Sequence, residues 1–299
     1  MLCGIWGIVM MCSTELPPDV CLRLGTESAL MNDTITVAVQ CALAKETKPF
    51  LERIEDASHE RYGGVDVGVG TYRGIRLVVG EGGMGSVSAG AASQMLIDRY
   101  EPDVLVFSGI AGGLNPALRV GDIVVGDQLH YLETNTPIIA ECAPWKESFT
   151  SDAALRDAAL DVLLWQGWGR VPSLRELAMG QDASSAGSSV GSPEDGARRF
   201  VCGTIATSDQ FNTDPDVLER IRATVYADCE EMEGTAAAHI CTKNYVPFLA
   251  IRAISNQCGE SYESLDDHQN DLVNAARTAA SIGLGVIDMV AEGRVNPGR

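Results

Sequence analysis

Hydrophobic and polar positions follow two rhythms along the 299-residue chain. Seven short runs rich in Val and Ile occupy residues 34–42, 65–71, 74–80, 103–108, 121–127, 201–206 and 247–254. Each is bounded by Gly or Asp and reads as a strand. Longer stretches with helical spacing lie between them. In residues 86–100, Val87, Ala91, Met95, Ile97 and Tyr100 approximate one stripe. Residues 151–166 open on a Ser-Asp capping pair and gather their leucines on one face. Residues 233–244 are small and Ala-rich, as suits a helix packed closely on a sheet, and residues 266–293 read as a long closing helix. Strands alternating with helices predict one α/β domain over residues 31–299, a central twisted sheet flanked by helices.

Two segments break the rhythm. Residues 180–197 are rich in Ser, Gly and Ala with almost no large apolar side chain, so a flexible surface insertion is expected at about 170–199. Residues 1–30 carry an apolar run, MLCGIWGIVMMC, with no Lys or Arg before it and too short to span a bilayer. They are expected to be a disordered extension, with Met31 a candidate alternative start.

Composition narrows the function. The formal net charge of −19 argues against a nucleic-acid surface or an anionic membrane as partner, since both need Lys and Arg to meet phosphate. The nine cysteines are odd in number, scattered, and form no CxxC pair, which speaks against a disulfide framework or a zinc site and for a reducing, cytoplasmic setting. No metal or organic cofactor is implied.

Four motifs carry candidate chemistry. EGGMGSVSAG, residues 81–90, is a Gly-rich turn into a helix; it lacks the Walker lysine and the full dinucleotide fingerprint. SGIAGG, residues 108–113, follows a buried strand, and its glycines suit either a tight turn or a flat ligand lying against the backbone. In CEEMEGTAAAH, residues 229–239, three carboxylates fall within four positions at an expected helix start. They read either as charge favourable to the helix dipole or as acceptors for a vicinal diol. Glu46, just after the first strand, is either an N-terminal helix charge or a general base for water. The strand 247–254 also holds Arg252, and a buried guanidinium calls for a carboxylate partner.

These motifs, taken in order with TSDQF and RAISN, resemble the purine nucleosidase and nucleoside phosphorylase superfamily. The nearest branch is the bacterial 5′-methylthioadenosine/S-adenosylhomocysteine nucleosidases, and the likeness runs from about residue 35 to about residue 290. The resemblance implies a nucleoside-phosphorylase-like fold with a mixed sheet, a small-molecule nucleoside substrate, and a homodimer in which residues 131–145 close the 5′ pocket. It implies that Glu46 activates water, that Glu233 binds the ribose hydroxyls and that Met232 packs under the sugar. Phe211 would stack on the purine and Asn212 would meet its edge. Ala111 and Gly112 would line the base and sugar, and Leu43 and Met84 would touch the 5′ substituent. Glu231, Arg252 and Ser255 complete the expected binding set. A carboxylate at position 46 repels phosphate, which favours water as nucleophile, so a purine N-ribosyl hydrolase is expected. A phosphorylase and a non-catalytic nucleoside-binding protein are the alternatives.

One departure from that pattern bears on specificity. The branch has an aspartic acid where this chain has Asn256. An amide cannot give up a proton, but its two N–H groups can donate to purine N7 and to an oxygen at position 6. RAISNQCG is similar in this to futalosine hydrolase, which implies a 6-oxopurine nucleosidase as a further alternative.

Overall fold

The computed structural model describes residues 34–180 and 197–296. The expected extension at 1–30 and most of the expected insertion lie outside the described residues.

The strands are β1 (Thr36–Cys41), β2 (Glu55–Tyr62), β3 (Val65–Tyr72), β4 (Ile75–Glu81), β5 (Val104–Gly113), β6 (Ile123–Tyr131), β7 (Phe149–Thr150), β8 (Gly169–Arg170), β9 (Arg199–Thr207), β10 (Ala227–Glu231) and β11 (Phe248–Gln257). They form one mixed sheet in the order β10-β9-β6-β11-β5-β1-β4-β3-β2, with β7 and β8 adding short pairings to β6 and β9. β10 also pairs antiparallel with β5, Cys229 opposite Gly113 and Glu230 opposite Gly112. That second pairing closes β5, β11, β6, β9 and β10 into a ring, so the sheet curls at this end and brings strands distant in sequence to one rim.

The helices are α1 (Ala44–Leu51), α2 (Ser86–Tyr100), α3 (Thr136–Ile139), α4 (Ala153–Trp165), α5 (Leu174–Ala178), α6 (Pro215–Thr224), α7 (Gly234–Lys243) and α8 (Gln269–Ala291). Alternation along the central strands feeds two helical layers. Val37, Val39, Val106, Leu249 and Ile251 pack with Phe50 of α1, Leu155 and Val162 of α4, and Ala279, Ile282 and Val286 of α8. Ala38, Val78, Leu105, Phe107 and Ala250 pack on the other face with Ala92 and Leu96 of α2 and Ala237 and Cys241 of α7. Because both faces are covered, these strands read as unbroken apolar runs.

All seven expected strands are present. The differences have physical causes. β2, EDASHERY, is exposed along its length and has no apolar alternation to betray it; its charges suit the sheet edge that it forms. In α2 the buried face is Ala89, Ala92, Ser93, Leu96 and Tyr100, with Met95 beside it, while Val87 is exposed. Ala89, Ala92 and Ser93 share that face with Leu96 and Tyr100, and their small side chains let the helix approach the sheet closely. Within the expected insertion, β8 and α5 are regular structure: Ser173 caps α5 by accepting from Glu176 N, and Arg170 pairs with Glu176 at 2.5 Å. The carboxylate motif is divided, with Glu230 and Glu231 on β10 and only Glu233 at the N-cap of α7.

Candidate active site

A cleft opens at the C-terminal ends of the parallel strands, the usual ligand crevice of an open α/β sheet. Leu43, Glu46, Met84, Ala111, Gly112, Phe211, Asn212, Glu231, Met232, Glu233, Ser255 and Asn256 all line it. Arg252, the remaining expected site residue, is 1% exposed and contacts the Glu231 carboxylate, which lines the cleft.

Glu46 sits in the first turn of α1, because β1 ends at Cys41 and the chain turns directly into the helix. Its Oε2 accepts from Ala42 N at 3.0 Å and Leu43 N at 2.9 Å, and its Oε1 accepts from Ile110 N at 3.0 Å. Three backbone donors fix the carboxylate between β1 and β5. Burial raises its pKa, opposed by the Arg252 charge and these hydrogen bonds. A fixed carboxylate with a raised pKa is suited to accept a proton from water.

The glycines of β5 make this approach possible. A Cβ on Gly109 would stand 2.7 Å from Glu46 Oε1 and 3.0 Å from Arg252 Nη1, and one on Gly112 would stand 2.6 Å from Cys258 Sγ. SGIAGG is thus not a turn. It continues the strand as far as Gly113, stripped of side chains where the site's polar groups cross it.

The two central carboxylates have different tasks. Glu231 is 6% exposed and its oxygens are fully engaged. They accept from Arg252 Nη2 at 2.5 Å and Nε at 3.2 Å, from Gly234 N at the head of α7, from Glu233 N, and from the Thr207 hydroxyl. The Arg252 guanidinium also lies over the Phe107 ring, 4.3 Å from its centroid. Glu231 therefore answers the buried arginine and anchors α7; the expectation that it also holds substrate finds it without a spare oxygen. Glu233 is the reverse case. Its Oε1 accepts one bond, from Gly85 N at 2.7 Å, where Gly85 takes φ 92° to begin α2. Burial and then the Glu231 charge push its pKa up. Its second oxygen is available to a ligand hydroxyl.

At the other side of Gly112, the Ser255 hydroxyl donates to Asn256 Oδ1 at 2.9 Å, and Asn256 Nδ2 donates to Gln257 O at 3.2 Å. This orients the amide with its oxygen satisfied and an N–H to spare. Phe211 is 41% exposed and packs edge-on against Tyr262, with centroids 5.5 Å apart. Asn212 Nδ2 donates to Glu230 Oε1 and to Ser208 Oγ.

Glu230, Cys258 and Tyr262 line the cleft without having been singled out from the sequence. Glu230 was visible as one of three clustered carboxylates, but the segment reads as a helix start, which hides its pairing with Gly112. Lys45 is the only cation among the described residues lining the cleft, against Glu46, Glu230, Glu231 and Glu233. Among the described residues no group of three or more His, Cys, Asp or Glu side chains could hold a metal ion, and no helix is long and apolar enough to cross a membrane.

With this fold and cleft, the chain belongs to the phosphorylase superfamily, whose family model matches residues 36–288. It is 30% identical over 259 residues to the 5′-methylthioadenosine/S-adenosylhomocysteine nucleosidase of Bacillus subtilis, covering 85% of this chain and 99% of that one. It is 28% identical to the enzyme of the same name from Geobacillus thermodenitrificans, over 85% of this chain and 96% of the relative. Among solved structures, the Neisseria meningitidis nucleosidase of that name, in complex with methylthio-immucillin-A, superposes with a TM-score of 0.69 at 24% identity, covering 84% of this chain and 98% of that one. Futalosine hydrolase of Helicobacter pylori also superposes with a TM-score of 0.69, at 22% identity, over 85% of this chain and 98% of that one. The fold expected from the motifs is thus the fold observed.

Proposed function

We propose that the protein is a purine nucleoside N-ribosyl hydrolase of the 5′-methylthioadenosine/S-adenosylhomocysteine nucleosidase type. The observation that carries this reading is the division of labour in the cleft: Glu46 is pinned by three backbone N–H groups, while Glu233 keeps an oxygen free for a sugar hydroxyl. In the reaction, Glu233 holds the ribose and the C1′–N9 bond loosens toward an oxocarbenium-like sugar. Glu46 then takes a proton from the water that attacks C1′. The Glu46 carboxylate, fixed where the attacking group must stand and with Lys45 the one lining cation among the described residues, makes a poor seat for a phosphate dianion, which favours water over phosphorolysis. Leu43, Met84, Leu265 and Leu272 give the cleft an apolar portion that suits a thioether substituent.

A second reading, a 6-oxopurine nucleosidase, is favoured by the Ser255–Asn256 hydrogen bond, because it holds the amide oxygen and leaves an N–H, rather than an acid, for the ligand. The two readings separate on the base released. The purified protein is given 5′-methylthioadenosine, S-adenosylhomocysteine, inosine and futalosine in turn. Adenine release supports the first reading and hypoxanthine release the second; no base from any of the four contradicts both.

The protein is further proposed to be a cytoplasmic homodimer. Ile138, Ile139 and Trp145 are exposed in the 131–145 segment, as a pocket-closing interface requires. Sedimentation of the full chain at a monomer's mass would contradict the dimer.

A further inference from the structure

Cleaving a purine from its sugar leaves the bonding electron pair on the base, so a proton delivered to the base eases its departure. The Asn256 amide has no proton to give. Of the carboxyls lining the cleft, Glu46 is committed to three backbone donors and Glu231 to Arg252. Glu233 accepts from Gly85 with one oxygen, and in the proposed reaction its other oxygen holds the ribose hydroxyl. Glu230 has no part in the chemistry described so far.

Its placement is specific. At Gly112, β5 is flanked on one side by Glu230 of β10 and on the other by Asn256 of β11. Between them sits Cys258, with Sγ 3.9 Å from Glu230 Oε2. A Cβ on Gly112 would meet that sulfur at 2.6 Å and Asn256 Nδ2 at 3.6 Å. The acid and the amide thus share one floor, opened by the missing side chain of Gly112. Asn212 donates to Glu230 Oε1, while Oε2 has only a long contact from the Cys258 thiol among its hydrogen bonds and can carry a proton. The charged and titratable groups acting on it are Glu133 from the segment after β6, Cys258 from the end of β11 and Glu231 on its own strand; the Arg222 cation of α6 acts on Cys258, and Lys45 lines the same cleft. Burial pushes the Glu230 carboxyl up to about 7; the Asn212 hydrogen bond opposes this and the Glu133 charge adds to it.

We propose that Glu230 is a catalytic residue that protonates the departing base from the side of Gly112 opposite Asn256. The proposal rests on the nucleosidase reading. As the C1′–N9 bond breaks, its electron pair stays on the base and the proton on Glu230 moves to a ring nitrogen. The water oxygen bonds to C1′ and its proton passes to Glu46. The products are the neutral base and the free sugar, and the proton returns from Glu46 to Glu230 through solvent. Asn256 then orients the base rather than supplying the acid.

The sign of the pH dependence follows. Glu230 acts protonated, so its titration supplies the basic limb of kcat/KM. Glu46 and Glu233 act ionised with raised pKa values, that of Glu233 pushed up to about 8, so they supply the acidic limb and the profile is a bell whose limbs overlap. The test compares wild type and Glu230→Gln on a purine nucleoside and on 4-nitrophenyl ribofuranoside, whose leaving group departs as a stable anion without a proton. The expected result is a loss of about 100-fold or more on the purine nucleoside, with less than about a threefold change on the nitrophenyl substrate. The basic limb of the pH profile disappears, and Glu230→Asp restores part of the purine rate. Equal losses on both substrates, or an unchanged rate and profile, would overturn the assignment. Wild-type protein that releases no base at all instead overturns the nucleosidase reading, and the proposal with it.

Discussion

At the scale of single residues, the site turns on which carboxylates keep an oxygen free. Glu46 tests this most simply. Glu46→Gln keeps an oxygen that can accept from Ala42, Leu43 or Ile110, so the fold and the cleft should survive while the proton acceptor is lost. Turnover is expected to fall about 10²- to 10⁴-fold, with nucleoside binding within a few-fold of wild type by calorimetry. An unchanged rate would remove Glu46 from the mechanism. The position of Glu46 after an apolar strand, and the need of Arg252 for a carboxylate, are both readable in the sequence. What is not readable is the split between Glu231 and Glu233. Two acids two positions apart look equivalent as letters. They differ because Glu231 ends a strand above a buried guanidinium, whereas Glu233 caps a helix beside the Gly85 amide. Those partners come from β11 and from the head of α2, far away in the chain.

At the scale of elements, the central strands and main helices are legible because burial on both faces leaves unbroken apolar runs, and small-residue helices pack on them. β2 and β10 are not legible. β2 lies at an exposed edge where charge is favourable, and β10 reads ADCEE, whose acids are met by partners distant in sequence, among them Asn115, Leu174 and Thr204 at Asp228 and Arg252 at Glu231. The glycines of β5 show the converse error, a turn signal inside a strand. Their role is testable. Gly109→Ala places a methyl carbon 2.7 Å from Glu46 Oε1 and 3.0 Å from Arg252 Nη1 unless the site shifts. Displacing a catalytic group by about 1 Å can cost about 100-fold, so kcat should fall by at least about tenfold while circular dichroism stays native. Activity within about twofold of wild type would show that the close approach at Gly109 has no bearing on catalysis.

At the scale of the whole molecule, buried acids dominate the electrostatics. Burial raises Glu46, Asp122, Glu230, Glu233 and Asp228, with Asp228 at about 6 and Glu230 at about 7. The folded protein therefore holds protons that the unfolded chain releases above about pH 4. Stability from these groups is fully present below that point and is lost as pH rises through their folded values. Glu60 and Glu176 are lowered, so their contribution is present above the ordinary carboxylate range and changes only below it. Self-repulsion at a net charge of −19 acts in the same direction as the raised group. The melting temperature should decline from pH 5 to pH 7.5 in calorimetry at fixed ionic strength; a steady rise across that window would contradict the assignment of these carboxyls.

The fixed Glu46 carboxylate underlies the central claim that water, not phosphate, attacks the sugar. The direct measurement is base release by the purified protein in phosphate-free buffer and again with added phosphate, with the sugar product weighed by mass spectrometry. The predicted result is a base and a free sugar in equal amounts at a rate that phosphate does not increase. Turnover that requires phosphate and yields a sugar 1-phosphate would contradict it.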